Sequence, residues 1–525
     1  LPCISTNFGV ATAVLRLIPE ADTVNEAGGA AYTLPAKARL AQYLMTGCLN
    51  GTFYADAQAQ LDAILALAEE VEPAYLARAA VHSRSRGYMK DAPALIAAIL
   101  TRKDVALAKT VFARVIDNGR MLRNYVQILR SGQTGRKSLG TMPKKLVQQW
   151  LADASDRQLL NASVGQAPSL ADMVKMVHPK PADETREAFY AWLIGKSVEE
   201  AKLPHIVQVF ERYKRGEGPM PEVEYRLLTG MPLGSEQWSE IARQAPWQMT
   251  RMNLNTFARH GVFADEASEI VDRIARRLAD PEAIRKARAY PYQLLAAWLN
   301  TGNRDGNPLP AVIREALQAA LEVSVDNVPE LAGQVHVLVD VSGSMSSPVT
   351  GVRHGATSAV RCIEAAALVA SAVLRKNPLA QVIAFNQQAW KVDLNPRDAL
   401  VTNAQKLTAL LNGGTAVSSG LALLNGAQAK GDLVLVVSDN QSWADTARRG
   451  TATMQEWEAF RARNPRARLA CIDLQPYGTM QAAQRPEVLH VGGFSDAVFD
   501  VLASFASGQM DSDFWVKEIE RTELN

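Results

Sequence analysis

Residues 335–345 read VHVLVDVSGSM, an apolar run that ends in a carboxylate, Asp340, with hydroxyls two and four residues on at Ser342 and Ser344. Val and Leu at successive positions predict a strand buried on both faces, as in a parallel sheet. The Asp-x-Ser-x-Ser pattern then falls at the strand's carboxyl end, where open α/β sheets place their ligands. One carboxylate and two hydroxyls at alternating positions can face one point in space. Hard oxygen donors of this kind suit Mg²⁺ or Mn²⁺ rather than a thiolate-seeking metal. The pattern alone is weak, because Ser and Asp also crowd ordinary strand-to-helix loops.

Two distant segments strengthen it. Residues 412–416 read NGGTA, so Thr415 follows a glycine pair that lets the backbone approach a ligand closely. Residues 431–440 read GDLVLVVSDN, a second apolar strand ending in a carboxylate, Asp439. Any one of these loops alone reads more readily as a helix cap; three of them in this order and strand context favour a shared site. The set Asp340, Ser342, Ser344, Thr415 and Asp439 resembles the metal-ion-dependent adhesion site of von Willebrand factor A domains, over about residues 332–510. The resemblance implies that the two serines and the threonine ligate the ion and that the aspartates act largely through water. It also implies one coordination position open to an acidic group of a partner.

Around this motif the elements alternate. Strands are expected at 335–340, 380–385, 389–394, 432–438 and 467–473, with helices at 355–376, 397–411, 417–429, 453–463 and 495–508. That alternation predicts a doubly wound α/β domain over residues 331–525, Rossmann-like in its layering. The tail after Met510 is too short to be a domain and is expected to pack back or fray.

The preceding residues, 1–330, read as all-α. Helical periodicity is expected over 57–80, 91–101, 104–118, 119–131, 143–153, 169–178, 184–196, 198–214, 220–229, 236–244, 265–279, 282–299 and 309–323. Antiparallel pairs of about 40 residues would suit a HEAT-like solenoid; an irregular bundle is the alternative. Charge is uneven within this part. Residues 101–150 hold 11 Lys and Arg against 2 Asp and Glu, although the whole chain is only +2. A polyanion suits such a stretch, held through phosphate neutralisation; a solvated helical face is the competing reading.

Composition bounds the remainder. At 525 residues, 48% apolar and 21% charged, the chain is globular and too long for one core. No apolar run of about 18 residues predicts a membrane span, and the first 30 residues lack the basic start and apolar core of a secretory signal. Four scattered cysteines without C-x-x-C spacing read as free thiols in a reducing cytoplasm.

A helical-repeat region followed by an A domain resembles the Ro RNA-binding family, whose helical part is the TROVE domain. Four segments carry the resemblance: RSRGYMKDAPALIA at 84–97, RSGQTGRKSLGTMPKKLVQQW at 130–150, MVHPKP at 176–181 and IRKARAYPYQLL at 284–295. It implies a ring of helical repeats closed by the A domain. It further implies small structured Y RNA on a basic outer surface and single-stranded 3′ ends of misfolded RNA in a central hole. Arg130, Arg136, Lys137, Lys144, Lys145, Lys175 and His178 are the RNA-contact candidates. Asn161 and Gly165 stand where animal relatives carry basic residues, so part of that surface is either weaker or rebuilt, for instance from Lys175 and Lys180. The alanine-rich composition and compact loops resemble the bacterial members. The resemblance implies a monomer that works with a 3′-to-5′ exoribonuclease such as polynucleotide phosphorylase.

Enzymatic readings find little support. Gly132–Ser138 fails the phosphate-loop spacing, and neither a G-x-S-x-G elbow nor H-E-x-x-H occurs. Two non-enzymatic readings remain: an RNA-binding scaffold, and a module that grips an acidic partner residue through the metal.

Overall fold

A computed structural model describes residues 18–45, 55–135, 137–299, 309–351, 360–493 and 498–524. The change from helices to strands comes at Val335, close to the sequence boundary at about 330. Contacts group the chain differently: Leu1–Ala63 with Ser235–Lys517 form one compact unit, and Ile64–Gly234 with Glu518–Asn525 form the other.

The first unit is built on a six-stranded sheet. Its strands are β3 (Val335–Asp340), β4 (Gln381–Phe385), β5 (Ala389–Lys391), β6 (Leu433–Ser438), β7 (Arg468–Asp473) and β9 (Val488–Gly492), in the order β5-β4-β3-β6-β7-β9. All pairings are parallel except β4 with the edge strand β5. Every residue of β3 and β6 is buried, as their unbroken apolar sequences require for strands covered on both faces. From β3 the chain winds first outward through β4 and β5, then returns to the other side with β6. The topological switch point therefore lies between β3 and β6, and Asp340 and Asp439 stand at its carboxyl ends. The helix Cys362–Lys376 covers the sheet, with residues 362–374 all buried except Glu364.

Three features of this unit were not legible in the sequence pattern. The short strands β1 (Thr23–Val24), β2 (Ala30–Thr33) and β8 (Thr479–Met480) form a second sheet in the order β1-β2-β8. Through it Ile18, Tyr32 and Leu34 enter one core with Leu338, Trp457 and Phe460. The hairpin also clasps the loop after β6: the Asn25 amide donates to the Ser442 carbonyl at 2.7 Å, and Gly29 lies directly against that same carbonyl. Third, the late helices of the helical region join this unit. Glu322 pairs with Arg375 at 2.8 Å and accepts from the Leu400 amide at 2.7 Å, while the Tyr290 hydroxyl donates to Asp500 at 3.0 Å.

The second unit is helical. The single helix expected over 57–80 is two, Ala57–Glu70 and Pro73–Ser85, because Pro73 starts a new first turn instead of continuing the old one. Asp91–Lys103, Val105–Val115, Gly119–Ser131, Thr141–Asp153 and Leu170–Val177 follow the sequence reading within a few residues. Asp156–Ala162 was unforeseen; Ser155 and Gln158 close a capping box at its start. The expected helix at 220–229 shrinks to Tyr225–Thr229, and 198–214 splits into a short 3-10 turn and His205–Lys214, which starts just after Pro204. The tail after Met510 packs back as the helix Phe514–Glu520, with Ile519 buried.

Gly29 tests the clasp. A Cβ there would stand 1.9 Å from the Ser442 carbonyl oxygen, so backbone must move. Gly29→Ala should cost about 1–3 kcal/mol, the range for overpacking, read as a lower midpoint in urea unfolding. Gly426→Ala, in a helix with nothing within 4 Å, should be neutral or slightly stabilising.

Candidate metal centre and nucleic-acid interface

The five residues singled out from the three loops converge. Asp340 ends β3 and turns the chain: its Oδ1 accepts from the Ser342 amide at 2.8 Å, and its Oδ2 accepts from the Ser438 hydroxyl at 2.5 Å. Ser342 and Ser344 then come side by side, with their hydroxyl oxygens 3.3 Å apart. The Gly343 amide donates to the Gly413 carbonyl at 2.9 Å and so draws in the loop that carries Thr415. The Thr415 carbonyl accepts from the amides of Trp443 at 3.2 Å and Ala444 at 3.1 Å, which ties in the loop after Asp439. All five residues are buried.

Electrostatics explains what such a place needs. Asp340 is held up at about 7, first by burial and then by the charge of Asp439, although Ser342 and Ser438 pull it back. Burial also raises Asp439, against hydrogen bonds from Ser344 and the Gln441 amide. A third carboxylate, Asp473 at the end of β7, is raised by burial and by Asp439. No cation is among the neighbours that shift any of the three. Asp439 Oδ2 is buried without a hydrogen-bond partner. An unpaired buried carboxylate oxygen beside two clustered hydroxyls is a poor resting place for charge and a good one for a hard divalent cation. Among the described residues no group of three or more His, Cys, Asp or Glu forms a metal cluster. The donor set here is hydroxyls with carboxylates behind them. Asp473 was missed although its strand, ARLACID, ends in a carboxylate just as β3 does; the Asn440 amide donates to it at 3.2 Å.

The RNA-contact candidates lie in the second unit. Arg130 is in the last turn of Gly119–Ser131, and Lys175 is in the last turn of Leu170–Val177. Both guanidinium and ammonium help to hold the Asp172 carboxyl low, after the hydrogen bonds from Ser169, so the two cations face one region. His178 caps that helix in the left-handed conformation (φ 51°) and is exposed. The Gln148 amide donates to the Val177 carbonyl at 2.6 Å, which sets the helix bearing Lys144 and Lys145 beside the His178 turn. Lys137 and Lys145 are exposed and Lys144 is half-buried; Arg136 lies outside the described residues. Trp150, which ends the matched basic segment, is structural: its indole N–H donates to the Ile116 carbonyl at 2.9 Å.

The two positions that depart from the animal pattern have their own uses. Asn161 accepts from the Glu224 amide at 3.0 Å. Gly165, at φ 116°, is covered by the Arg123 guanidinium, within 2.3–2.4 Å of where a Cβ would stand.

The α/β half is thus a von Willebrand factor A domain, and a chain of helices precedes it. Residues 334–506 match the family model described as the Ro60 vWA domain. The chain is 26% identical to the RNA-binding protein RO60 of Deinococcus radiodurans, across 94% of this chain and 97% of that protein. It is 24% identical to the Caenorhabditis elegans protein of the same name, over 46% of this chain and 37% of that one. In fold it is similar to the crystal structure of the Deinococcus radiodurans RO (RSR) protein, with a TM-score of 0.64, 23% identity and coverage of 91% of this chain and all of that one. The Ro60 vWA match thus covers the α/β domain, and the similarity to the bacterial protein runs along nearly the whole chain.

The metal reading has a signed consequence. The folded-state values of Asp340 and Asp439 lie above their unfolded ones, so the native state holds these protons more tightly. Stability in chelator should therefore fall as pH rises from about 4 towards 7. Mg²⁺ should oppose that fall near pH 7 by binding only the folded state, seen as a higher melting temperature. Asp439→Asn should remove the Mg²⁺ shift yet melt higher than wild type in chelator. Equal Mg²⁺ shifts in both proteins would exclude this centre.

Proposed function

We propose that this chain is a non-enzymatic RNA-binding scaffold of the Ro type. Similarity along nearly its whole length to a protein named for RNA binding carries the reading. The gathering of Arg130, Lys144, Lys145, Lys175 and His178 around one pair of helix ends supports it. Lysines and arginines supply phosphate contacts, and an exposed histidine held in a left-handed turn can hydrogen-bond or stack on an unpaired base. The finer readings rest on the resemblance alone: Y RNA outside, single-stranded 3′ ends of misfolded RNA in a central hole, and hand-over to an exoribonuclease such as polynucleotide phosphorylase. Among the described residues no helix is long and apolar enough to cross a membrane.

A second role on the other unit is compatible with the first. Ser342, Ser344 and Thr415 would hold Mg²⁺ or Mn²⁺, with Asp340 and Asp439 acting largely through water. The bound ion would supply a Lewis-acidic position for a carboxylate of a protein partner. Trp443 stands 48% exposed on the adjoining loop, its ring against Gly414, and offers an apolar contact beside that position.

RNA co-purified with the chain should be enriched in small structured species on sequencing. Lys144→Ala, Lys145→Ala and His178→Ala together should weaken retention about tenfold or more at 0.15 M salt, since lost phosphate contacts act through counterion release. Asp340→Ala should leave retention unchanged. Unaltered retention in the triple variant, with loss in Asp340→Ala, would transfer the main role to the metal-dependent module.

A further inference from the structure

The hairpin of β1 and β2 and the loop after β6 are fastened to each other at their tips, although Asn25 and Ser442 stand 417 residues apart. The Asn25 side chain bonds in both directions. Its Oδ1 accepts from the amides of Ala27 at 3.1 Å and Gly29 at 2.8 Å, which fixes the turn. Its Nδ2 donates outward to the Ser442 carbonyl at 2.7 Å. The Ala27 amide also donates to the Gln441 side-chain oxygen at 3.3 Å. Gly29 lies so close to the same loop that a Cβ would meet the Ser442 carbonyl oxygen at 1.9 Å and the Trp443 Cα at 3.1 Å. Asn25, Gln441 and Ser442 are all buried.

The segment gripped in this way also joins Asp439 to the Thr415 loop. Asp439 Oδ1 accepts from the Gln441 amide at 3.4 Å. Ser442 Oγ accepts from the Val417 amide at 2.9 Å and donates to Asp445 at 2.5 Å, and Asp445 accepts from the Ser418 hydroxyl at 2.6 Å. The Trp443 and Ala444 amides close on the Thr415 carbonyl at 3.2 and 3.1 Å. Residues 441–444 therefore meet the hairpin on one side and the loops of two oxygen donors, Thr415 and Asp439, on the other.

We infer that this hairpin is a structural part of the cation centre: Asn25 is a positioning residue that sets Asp439 and Thr415 relative to each other without touching the ion. This rests on the reading of Asp340, Ser342, Ser344, Thr415 and Asp439 as a Mg²⁺ or Mn²⁺ site. Mg²⁺ demands near-ideal octahedral geometry with donors at about 2.0–2.1 Å, whereas Ca²⁺ accepts looser and more numerous oxygens. A loop already held in place loses little freedom when the ion binds; a loop released from the hairpin must be ordered at that step. Coupling of this kind is reciprocal, so the bound ion must in turn hold the hairpin more firmly.

The test uses the full chain, stripped with chelator, and Mg²⁺ alone or Ca²⁺ alone as the titrant in calorimetry. Asn25→Ser keeps a side-chain oxygen for the turn but is too short to reach the Ser442 carbonyl. It should weaken Mg²⁺ binding about tenfold, the low end for an outer hydrogen-bond partner of a metal ligand, and Ca²⁺ binding by no more than about twofold. In wild type, Mg²⁺ should slow hydrogen exchange at the Ala27 and Gly29 amides. Phe505→Leu, at a buried ring under the Arg468 guanidinium, should lower the melting temperature yet leave Mg²⁺ affinity unchanged. Equal Mg²⁺ affinity in wild type and Asn25→Ser, or wild-type exchange at those amides that ignores Mg²⁺, would overturn the hairpin's role and leave the centre standing. An equal loss in Phe505→Leu, or equal losses of Mg²⁺ and Ca²⁺ affinity in Asn25→Ser, would mark general loosening and overturn it too. A wild-type chain that binds neither Mg²⁺ nor Mn²⁺ would remove the centre and the hairpin's role together.

Discussion

Three carboxylates, Asp340, Asp439 and Asp473, are buried where the carboxyl ends of β3, β6 and β7 meet, and the surrounding loops are organised around that constraint. A charged group out of water is tolerated only when it is paired, hydrogen-bonded or neutralised. Here Ser342, Ser438, Ser344 and Asn440 supply hydrogen bonds, but one oxygen of Asp439 is left without any. The loops that bring those donors are tied to each other through Gly343 with Gly413 and through Thr415 with Trp443, so removing one disturbs the others. The place is buried, and no cation is among the neighbours that shift its carboxylates.

The helical unit carries its charge differently. Arg130 and Lys175 both help to hold the Asp172 carboxyl low, whereas Lys90 and Arg123 are lowered by burial and then by Arg120 and Arg226.

The N-terminal hairpin links distant chain segments within the sheet unit. Asn25, Gly29 and Tyr32 contact Ser442, Gly450 and Thr451, so residues near the start of the chain help to shape the loop that follows Asp439. A boundary drawn from the change of periodicity near residue 330 could not reveal this. Periodicity reports which element forms, whereas two strands of two and four residues carry too few side chains to register.

The sequence by itself determined the two central strands, whereas the equally buried Val488–Gly492 went unread. VHVLVD and LVLVVS are apolar on both faces but for His336 and the residues that end them, so they read as buried strands with Asp340 and Asp439 at their carboxyl ends. From that followed the α/β domain, the five-residue oxygen-donor set and, with the order of the helical segments, the Ro resemblance. Only the tertiary structure decided which surface charges meet. Arg130 and Lys175 come from separate helices, and exposed cations leave no trace in hydrophobic periodicity because water satisfies them in any register. Gly165 shows the difference in one residue. In the chain it reads as a basic side chain lost; in the fold it is the space an arginine from position 123 occupies.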